Sequence, residues 1–379
     1  MRQTKKVRQT AHPTAATPTP RTRALTILYI SVTAQRAQPY LDPSTRYRCF
    51  YPVEAARALG HRAFVATQDA MDLDPALFDM VVVHRPSFTP SLVRFLRKAR
   101  AATCRLIADY DDLTFDPRYA MDSTMFRKLW DTAAVHATFE RNTDALHLFD
   151  EFTVSTAPLR DNVLALHPGA TVHVIPNSIS PTLWSMIAQR DYQAQHERPY
   201  LGYFPGTATH DEDFQVAAQG VAQFCRDRSV SLRIIGPINT DHAIFHGVDV
   251  QRLALQPYND MFDSLSLCRV VLAPLTPTQF NRAKSHIKLV EASLSCTSCV
   301  ASAIPDMARH HALTGAGTLV DGNADWSGAI HHSWDSFTLQ GASAAREALV
   351  SRFGAVEVCR PLFAPLAVPL VPPLVTEPA

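Results

Sequence analysis

The sequence predicts an α/β protein made of two domains, each with a mostly parallel sheet covered by helices. The chain has 379 residues, more than a single hydrophobic core usually serves. Hydrophobic residues make up 46% of it, which is enough to fill two cores. Short β-branched segments alternate with segments of helical period, and this alternation stops once and then restarts. Two α/β domains of similar size follow from this pattern.

Six short strands bounded by turns are predicted in the first half of the chain. They span residues 24–32, 62–67, 78–84, 104–110, 151–156 and 171–177. Segments of helical period separate them, for example 51–59, 90–101 and 125–144. Strands that alternate with helices in this way are typical of a parallel sheet whose faces are both covered.

A polar, charged stretch at 187–198 divides this half from a second one with the same rhythm. The second half has predicted strands at 200–206, 231–237, 269–275 and 299–304, with helices such as 213–226 between them. We therefore predict a first domain at 24–190 and a second at 191–360, followed by a Pro-rich tail at 361–379.

The N-terminal segment 1–23 carries six basic residues and no acidic one. We predict a disordered basic arm, and the sharper alternative is a tether to anionic membrane, since each clustered basic residue gains about 1 kcal/mol near such a surface. No segment approaches the roughly 18 uncharged apolar residues that a membrane-spanning helix needs. The expected location is the cytoplasm, with peripheral contact at the inner face of the membrane.

Charge and cysteine content exclude several function classes. The 36 basic and 35 acidic residues nearly cancel, so no general affinity for nucleic acid is expected. Seven scattered cysteines suit a reducing compartment. Cys296 and Cys299 form one CxxC, but it has no second pair or nearby histidine pair to complete a zinc site, so packed thiols are favoured.

Two common nucleotide-binding motifs are absent from the sequence. Neither predicted domain has GxGxxG after its first strand, which counts against a dinucleotide oxidoreductase. No GxxxxGK[ST] is present either, which counts against a P-loop phosphotransferase.

The segment FNRAKSHIKLVEASLS, residues 280–295, combines a helical apolar pattern with an ordered set of charges. If a helix begins near Ala283, then Lys284, Lys288 and Glu291 share one face. Lys284 and Ser285 then lie in the first turn, which favours an anion. Glu291 two turns along suits the ribose of a nucleotide sugar. The alternative is a surface helix with a simple Lys288–Glu291 pair.

Several motifs in a fixed order resemble the GT-B glycosyltransferases of family 4, in the branch whose donor helix reads FNxAKSxxKxxE. The matching stretches are STRYRCFYPVEAARALGH at 44–61, DYDDLTFD at 109–116, VSTAPLRDNV at 154–163, VIPNSI at 174–179, FPGTATHDEDF at 204–214, FNRAKSHIKLVEA at 280–292 and CVASAIPD at 299–306. This resemblance implies the GT-B fold, which has two facing Rossmann-like domains with mostly parallel sheets and a cleft between them. The first domain would bind the acceptor and the second the donor.

The resemblance also implies an activity and site residues. The activity is a hexosyltransferase-like transfer from a nucleotide-diphosphate sugar to a glycan, lipid-linked saccharide or protein, as in polysaccharide biosynthesis, with retention and without metal or cofactor. The catalytic candidates are Lys284, His210 and Asp111. The donor-binding candidates are Gly206, Thr207, Lys284, Ser285, Lys288 and Glu291. The acceptor-side candidates are Arg46, Arg48, His84, Arg85, Asp109 and Asp112.

The chain departs from the family pattern at several positions. Ala283 stands where a first glutamate is usual, and Thr207 lies near the usual arginine, so Lys284 and Arg282 are expected to compensate. Cys296 and Ser298 replace a usual glycine and proline. Two other functions therefore remain open, a nucleotide-sugar epimerase and a non-catalytic partner or glycan-binding subunit.

Some candidate residues also have a purely structural interpretation. His84 at a strand end is as well explained by a structural hydrogen bond, and Arg46 and Arg48 as ordinary surface arginines. The DYDD carboxylates suit helix capping or hydroxyl binding better than metal. Asp306 is expected to cap the helix that follows it.

Overall fold

The computed structural model describes residues 23–129, 131–192, 197–238, 243–322 and 324–364. Within them the chain forms two six-stranded sheets, and every strand pair in both sheets is parallel. The predicted class of two α/β domains is confirmed. The predicted basic arm, apart from Arg23, and the predicted tail beyond Ala364 lie outside the described residues.

Twelve strands make up the two sheets. They are β1 Thr26–Ser31, β2 Arg62–Thr67, β3 Met80–His84, β4 Arg105–Tyr110, β5 Glu151–Val154, β6 Thr171–Val174, β7 Tyr200–Tyr203, β8 Ser231–Ile235, β9 Val250–Leu253, β10 Cys268–Ala273, β11 Ser298–Ser302 and β12 Thr318–Val320. All ten predicted strands are present. The short edge strands β9 and β12 were not predicted.

Helices cover the sheets and connect the strands. They are α1 Pro43–Thr45, α2 Tyr51–Ala58, α3 Pro90–Ala101, α4 Thr124–Leu129, α5 Thr132–Leu146, α6 Ala157–Leu166, α7 Pro181–Ala188, α8 Asp211–Arg228, α9 Tyr258–Ser266, α10 Gln279–Arg282, α11 Ile287–Leu294, α12 Pro305–Thr314, α13 Trp326–Ser336, α14 Leu339–Phe353 and α15 Ala355–Cys359. The single helix predicted at 125–144 is wrong. Asp131 caps α5 by accepting a hydrogen bond from the Ala134 amide, which separates α5 from α4.

The order of the strands in each sheet indicates where a ligand would bind. The first sheet runs β2-β1-β3-β4-β5-β6 and the second β12-β11-β10-β7-β8-β9. The order reverses between β1 and β3 in the first sheet and between β7 and β10 in the second. In open α/β sheets a ligand binds beyond the carboxyl ends of the strands at such a reversal. The segments that follow β3, β4, β7 and β10 are therefore the ones to inspect.

Buried strands and helix faces form the cores. Every residue of β3, sequence MVVVH, is buried, as expected for a central parallel strand. In the second domain α8 buries Phe214, Ala217 and Val221 at helical spacing against the sheet. The ring of Phe214 stacks on Tyr203 of β7 with centroids 4.6 Å apart.

The C-terminal end of the described chain returns to the first domain. Ile179 pairs with Gly354 in a parallel bridge, in which the Ile179 amide donates to Phe353 O and the Ala355 amide donates to Ile179 O, both at 2.8 Å. Beyond this bridge α15 packs against α2. The domain boundaries at 190 and 360 stay a prediction, but α15 lies on the core of the first domain. No helix in the described ranges is long and apolar enough to cross a membrane.

Candidate functional site

The loop after β7 offers an open backbone at the carboxyl edge of the second sheet. Gly206 is exposed, and a Cβ there would meet nothing within 4 Å. Behind it Gly236 has a φ of +124°, and a Cβ at that position would lie 2.4 Å from Pro205 O. The glycine at 236 thus lets the end of β8 support the loop closely. Thr207, also exposed, shares a 2.7 Å hydroxyl hydrogen bond with Thr209.

His210 closes this loop just before α8. Its Nδ1 hydrogen-bonds Asp213 Oδ2 at 2.9 Å, which assigns the proton of the neutral ring to Nδ1. Burial lowers the pKa of His210, and the nearby charges of Lys284 and Lys288 lower it further against the effect of Asp213. His210 is therefore a neutral base whose Nε2 has no hydrogen-bond partner among the described residues.

Asp213 is a fully buried carboxylate that ties two loops together. Its Oδ1 accepts hydrogen bonds from the Thr276 amide at 2.9 Å, the Thr276 hydroxyl at 2.8 Å and Asn281 Nδ2 at 3.0 Å. Burial alone would raise the pKa of Asp213, but the His210 hydrogen bond, the Thr276 amide and the Arg127 charge lower it below its usual range. The loops after β7 and β10 thus share one anionic anchor.

The helix predicted to begin near Ala283 is wrong. The chain forms the short α10, leaves helical geometry at 283–286 and starts α11 only at Ile287. The linking residues bond the first domain instead. Ala283 O accepts from Thr156 Oγ1, and Ser285 Oγ accepts from Asn177 Nδ2, both at 2.8 Å. Lys284 and Ser285 lie directly before the helix start rather than in its first turn.

Asp306 binds the same linking segment, residues 283–286, through His286. Its Oδ2 accepts from the His286 amide at 3.0 Å and bonds His286 Nδ1 at 2.5 Å, while Oδ1 accepts from Arg309 Nε at 3.0 Å. The expected capping role is wrong, because α12 has Ile304 at its N-cap and no side-chain cap. The carboxylate anchors the loop before α11 instead.

Lys284 and Lys288 provide positive charge on this edge. The Lys284 ammonium lies 5.5 Å from the centroid of the Phe280 ring and forms no ion pair within the described part of the chain. Lys288 pairs with Glu291 at 2.9 Å, as the simple alternative predicted. That pair is not a free surface pair, since only 8% of the Glu291 side chain is exposed.

Glu291 faces a tyrosine pair that crosses between the domains. The hydroxyls of Tyr47 and Tyr258 are 2.6 Å apart. Burial raises the pKa of Tyr47, and the charge of Glu291 raises it further, so this carboxylate lies close by. The guanidinium of Arg46 stacks 3.7 Å above the Tyr258 ring. Arg46 is 4% exposed and packs at this interface rather than on the surface.

Three acceptor-side candidates form a buried network at the ends of β3 and β4. Arg48 donates to Asp109 through Nε at 3.1 Å and Nη2 at 2.6 Å, and His84 Nδ1 bonds Asp109 at 2.8 Å. Burial would raise the pKa of Asp109, but Arg48 and His84 lower it. All three side chains are at most 3% exposed. These three residues support the site from the interior. The interpretation of Arg48 as an ordinary surface arginine is wrong.

Arg85, Asp111 and Asp112 are the more accessible members of this cluster. Arg85 adopts a φ of +51°, a left-handed conformation that non-glycine residues hold only where the surroundings enforce it. Its Nε bonds Asp111 at 2.6 Å, and its Nη2 lies 3.7 Å from Asp112. Burial opposes ionisation of Asp111, yet Arg85 and His84 lower its pKa. Asp112 Oδ1 is buried without a protein partner.

The carboxylates of Asp109, Asp111 and Asp112 are not arranged as a metal site. Within the described ranges no group of three His, Cys, Asp or Glu side chains is arranged to hold a metal ion. Asp109 and Asp111 are instead each paired with an arginine. All seven cysteines are free and buried, including Cys296 and Cys299.

Several site residues were missed by the sequence argument. They are Tyr47, Arg127, Thr156, Asn177, Asp213, Tyr258, Asn281 and His286. Most lie inside the motifs quoted for the resemblance, so their position in those motifs was the available signal. Arg127 lies in no motif, and nothing local in its sequence marks it.

Comparison of the whole structure with solved structures identifies the fold. A glycosyltransferase from Rickettsia africae is similar with a TM-score of 0.57 and 11% identity, over 90% of this chain and 97% of that one. Anabaena HepE in complex with UDP-glucose gives 0.58 and 13%, over 89% and 98%. Sucrose-phosphate synthase from Thermosynechococcus elongatus gives 0.57 and 12%, over 89% and 97%. The chain has the GT-B fold. By sequence, no family model and no curated protein matches it.

Proposed function

We propose that the protein is a glycosyltransferase that moves a sugar from a nucleotide-diphosphate donor to a glycan, lipid-linked saccharide or protein acceptor. One observation carries this proposal. The charges of Lys284 and Lys288 act on the neutral His210, which closes the loop that carries the exposed Gly206 at the carboxyl edge of the second sheet. The shared fold with Anabaena HepE, solved in complex with UDP-glucose, supports it. The finer assignment, to family 4 and its FNxAKSxxKxxE branch, is part of the proposal.

The diphosphate is proposed to lie between the loop after β7 and the start of α11. Lys284 has no carboxylate partner in the described structure, so its charge is available to phosphate. The Ser285 hydroxyl accepts from Asn177 and keeps its own proton to donate. Gly206 and Thr207 offer backbone and hydroxyl without steric hindrance. A helix N-terminus behind these groups favours the same anion.

The ribose is proposed to bind the Glu291 carboxylate. This group is held by Lys288 on one side and lies near Tyr47 and Tyr258 on the other. A carboxylate offers about four lone-pair sites, so one ammonium leaves capacity for two sugar hydroxyls.

Charge stabilisation is the main catalytic task in such a site. The diphosphate gains negative charge as the glycosidic bond breaks, and a fixed ammonium at Lys284 stabilises it without reorganisation. His210 Nε2 is placed to accept a hydrogen bond from a hydroxyl of the transferred sugar. Asp111, ionised and held by Arg85, is placed to accept one from the acceptor. We propose retention of configuration, with no protein nucleophile, metal or cofactor.

The acceptor is proposed to approach the ends of β3 and β4. Arg85 is 30% exposed there, and Asp112 has a carboxylate oxygen without a protein partner. Behind them Arg48 and His84 hold the Asp109 side chain, and the Asp109 carbonyl accepts from the Arg85 amide at 2.8 Å. Polysaccharide biosynthesis in the cytoplasm, at the inner face of the membrane, is the proposed setting. In that setting the basic segment 1–23 would contact anionic lipid.

The experiment incubates the purified protein with a panel of nucleotide sugars and measures release of nucleoside diphosphate. Release that depends on a sugar acceptor supports the proposal, and NMR of the product reports the anomeric configuration. Sugar inversion without release would identify an epimerase instead. Binding without any turnover would identify a non-catalytic subunit. Chelation before the assay tests independence from metal.

A further inference from the structure

Arg127 is a first-domain residue whose side chain is buried in the second domain. It lies on α4 and is only 7% exposed. Its Nη1 is 3.1 Å from Asp213 Oδ2, and its Nε is 3.1 Å from Glu212 Oε2. Nη2 donates to Thr276 Oγ1 at 3.0 Å, and Nη1 to Thr209 O at 3.4 Å. One guanidinium thus contacts both loops that border the candidate donor site.

The partners of Arg127 lead directly to His210. Asp213 is the carboxylate that holds the His210 ring, and Thr209 is the residue before it. Asp213 is fully buried, so its charge depends on close compensation. If the domains separate, Arg127 leaves with the first domain, and Asp213 keeps only His210 and neutral donors. The surroundings of His210 therefore differ between open and closed arrangements.

We propose that Arg127 is a positioning residue that couples the approach of the two domains to the placement of His210. That His210 takes part in sugar transfer rests on the proposed function. The coupling itself does not, because it concerns contacts present without any ligand. The loop after β7 therefore holds His210 in its catalytic position only while Arg127 of the first domain contacts that loop and Asp213.

The test compares Arg127→Met with three further variants. Lys128→Met is the matched control, since Lys128 is the next residue on α4 and is exposed. Arg127→Lys keeps the charge but not the fork of donors, and is expected to rescue in part. Glu212→Gln removes only the ion pair between Arg127 and the exposed Glu212 side chain, which is 57% exposed. This variant replaces Arg127→Met in the test if Arg127→Met does not fold.

The first measurement is the titration of the His210 ring by NMR, without substrate. His210 faces Asp213 from α8, Lys284 and Lys288 from the 280–295 segment and, through Asp213, Arg127 from α4. Loss of the Arg127 charge leaves Asp213 less compensated and admits water, and both effects raise the His210 pKa. X-ray scattering of the same samples should show a larger radius of gyration for Arg127→Met than for Lys128→Met.

The second measurement is turnover, once a donor is known. A misplaced His210 should lower kcat by about 10²-fold, with a smaller change in KM. An Arg127→Met protein with wild-type His210 titration and scattering overturns the coupling. Absence of turnover in the wild-type protein overturns the proposed function instead. The two failures are therefore distinguishable.

Discussion

Asn177 in the first domain donates its side-chain amide to Ser285 Oγ in the second at 2.8 Å. The carbonyl oxygen of the same amide accepts from Arg48 Nη1 at 3.2 Å, and Arg48 is the bidentate partner of Asp109. A continuous chain of hydrogen bonds thus joins the carboxylates at the end of β4 to the loop before α11. The proposed acceptor side and the proposed phosphate loop are connected through one amide.

This connection predicts a measurable coupling between Asn177 and Ser285. Asn177→Ala and Ser285→Ala should each weaken donor binding, and the double variant should lose less than the sum of both. The expected interaction energy is about 0.5 to 1.5 kcal/mol, the usual net value of one hydrogen bond. Calorimetric titration of the four proteins measures it. Asn162→Ala, which removes an amide bonded only within α6, is the control. Strict additivity would show that the contact does not reach the donor site.

Glu291→Ala is predicted to weaken nucleotide-sugar binding by about 1.5 to 3 kcal/mol, because hydrogen bonds to a charged group have this value. The fold should survive, since the ion pair with Lys288 is lost but the apolar side chains of α11, Leu289, Val290 and Leu294, stay buried. Donor affinity is measured by calorimetry. Lys288→Met separates the two roles of the carboxylate. If loss of the pair alone explains the effect, Lys288→Met should weaken binding as much as Glu291→Ala.

The fold was largely predictable because its signals are local and repeated. The central strands are short apolar runs, such as MVVVH in β3, and helices such as α8 show an apolar period. The edge strand β12 was missed because three residues carry too little pattern, and β9, with sequence VQRL, because polar residues interrupt its apolar ones. The break at 283–286 was missed for another reason. Its cause is tertiary, since the backbone there bonds Thr156 and Asp306, which are distant in sequence.

The candidate site was predictable only in part, and for the same reason. Motif position marked His210, Lys284 and Glu291, which do lie at the edge of the second sheet. Spacing gave no sign that Arg48 is a buried partner of Asp109, because an arginine near a strand is usually exposed. Arg127 was invisible in the sequence because its four contacts belong to the other domain.

Lys284→Ala is predicted to lower kcat by about 10²- to 10³-fold and to change KM less. Contacts to the leaving diphosphate strengthen as its charge develops, so their loss appears mainly in the transition state. Steady-state kinetics with varied donor measures both constants. Lys98→Ala is the control, since Lys98 is an exposed lysine on α3 of the first domain. A change in KM alone would make Lys284 a binder of ground-state donor only.

Removal of residues 1–23 is predicted to leave turnover on soluble acceptors unchanged and to reduce sedimentation with anionic vesicles at low salt. The six basic residues of this segment are the reason, because their attraction to lipid is electrostatic and screened by salt. Neutral vesicles are the control. Equal sedimentation of both forms with anionic vesicles would remove the arm from any membrane role.

His310 is a buried imidazole next to the anchor of the phosphate loop. It is 0% exposed and stacks on His286 at 4.7 Å and on Phe353 at 5.0 Å. Neither ring nitrogen has a hydrogen-bond partner among the residues that the structure describes. Burial lowers its pKa to about 3, and the charges of His286 and Arg309 act in the same direction against Asp306. The folded protein therefore keeps this ring neutral over most of the acid range.

The sign of the resulting pH dependence follows from proton uptake. The unfolded chain binds a proton at His310 near pH 6.5, whereas the folded chain does so only near pH 3. The stability that the neutral ring contributes is fully present above pH 6.5 and is lost as pH falls, by about 1.4 kcal/mol at pH 5.5 relative to pH 7.5.

His310→Phe removes this loss, and replacing a ring without hydrogen bonds by an apolar one of similar shape should cost little. Urea unfolding at the two pH values should show the advantage of His310→Phe over wild type growing by about that amount. His332→Gln, at an exposed histidine, should show no such growth. Parallel stability curves for His310→Phe and wild type would mean that the buried ring is not the group that limits acid stability.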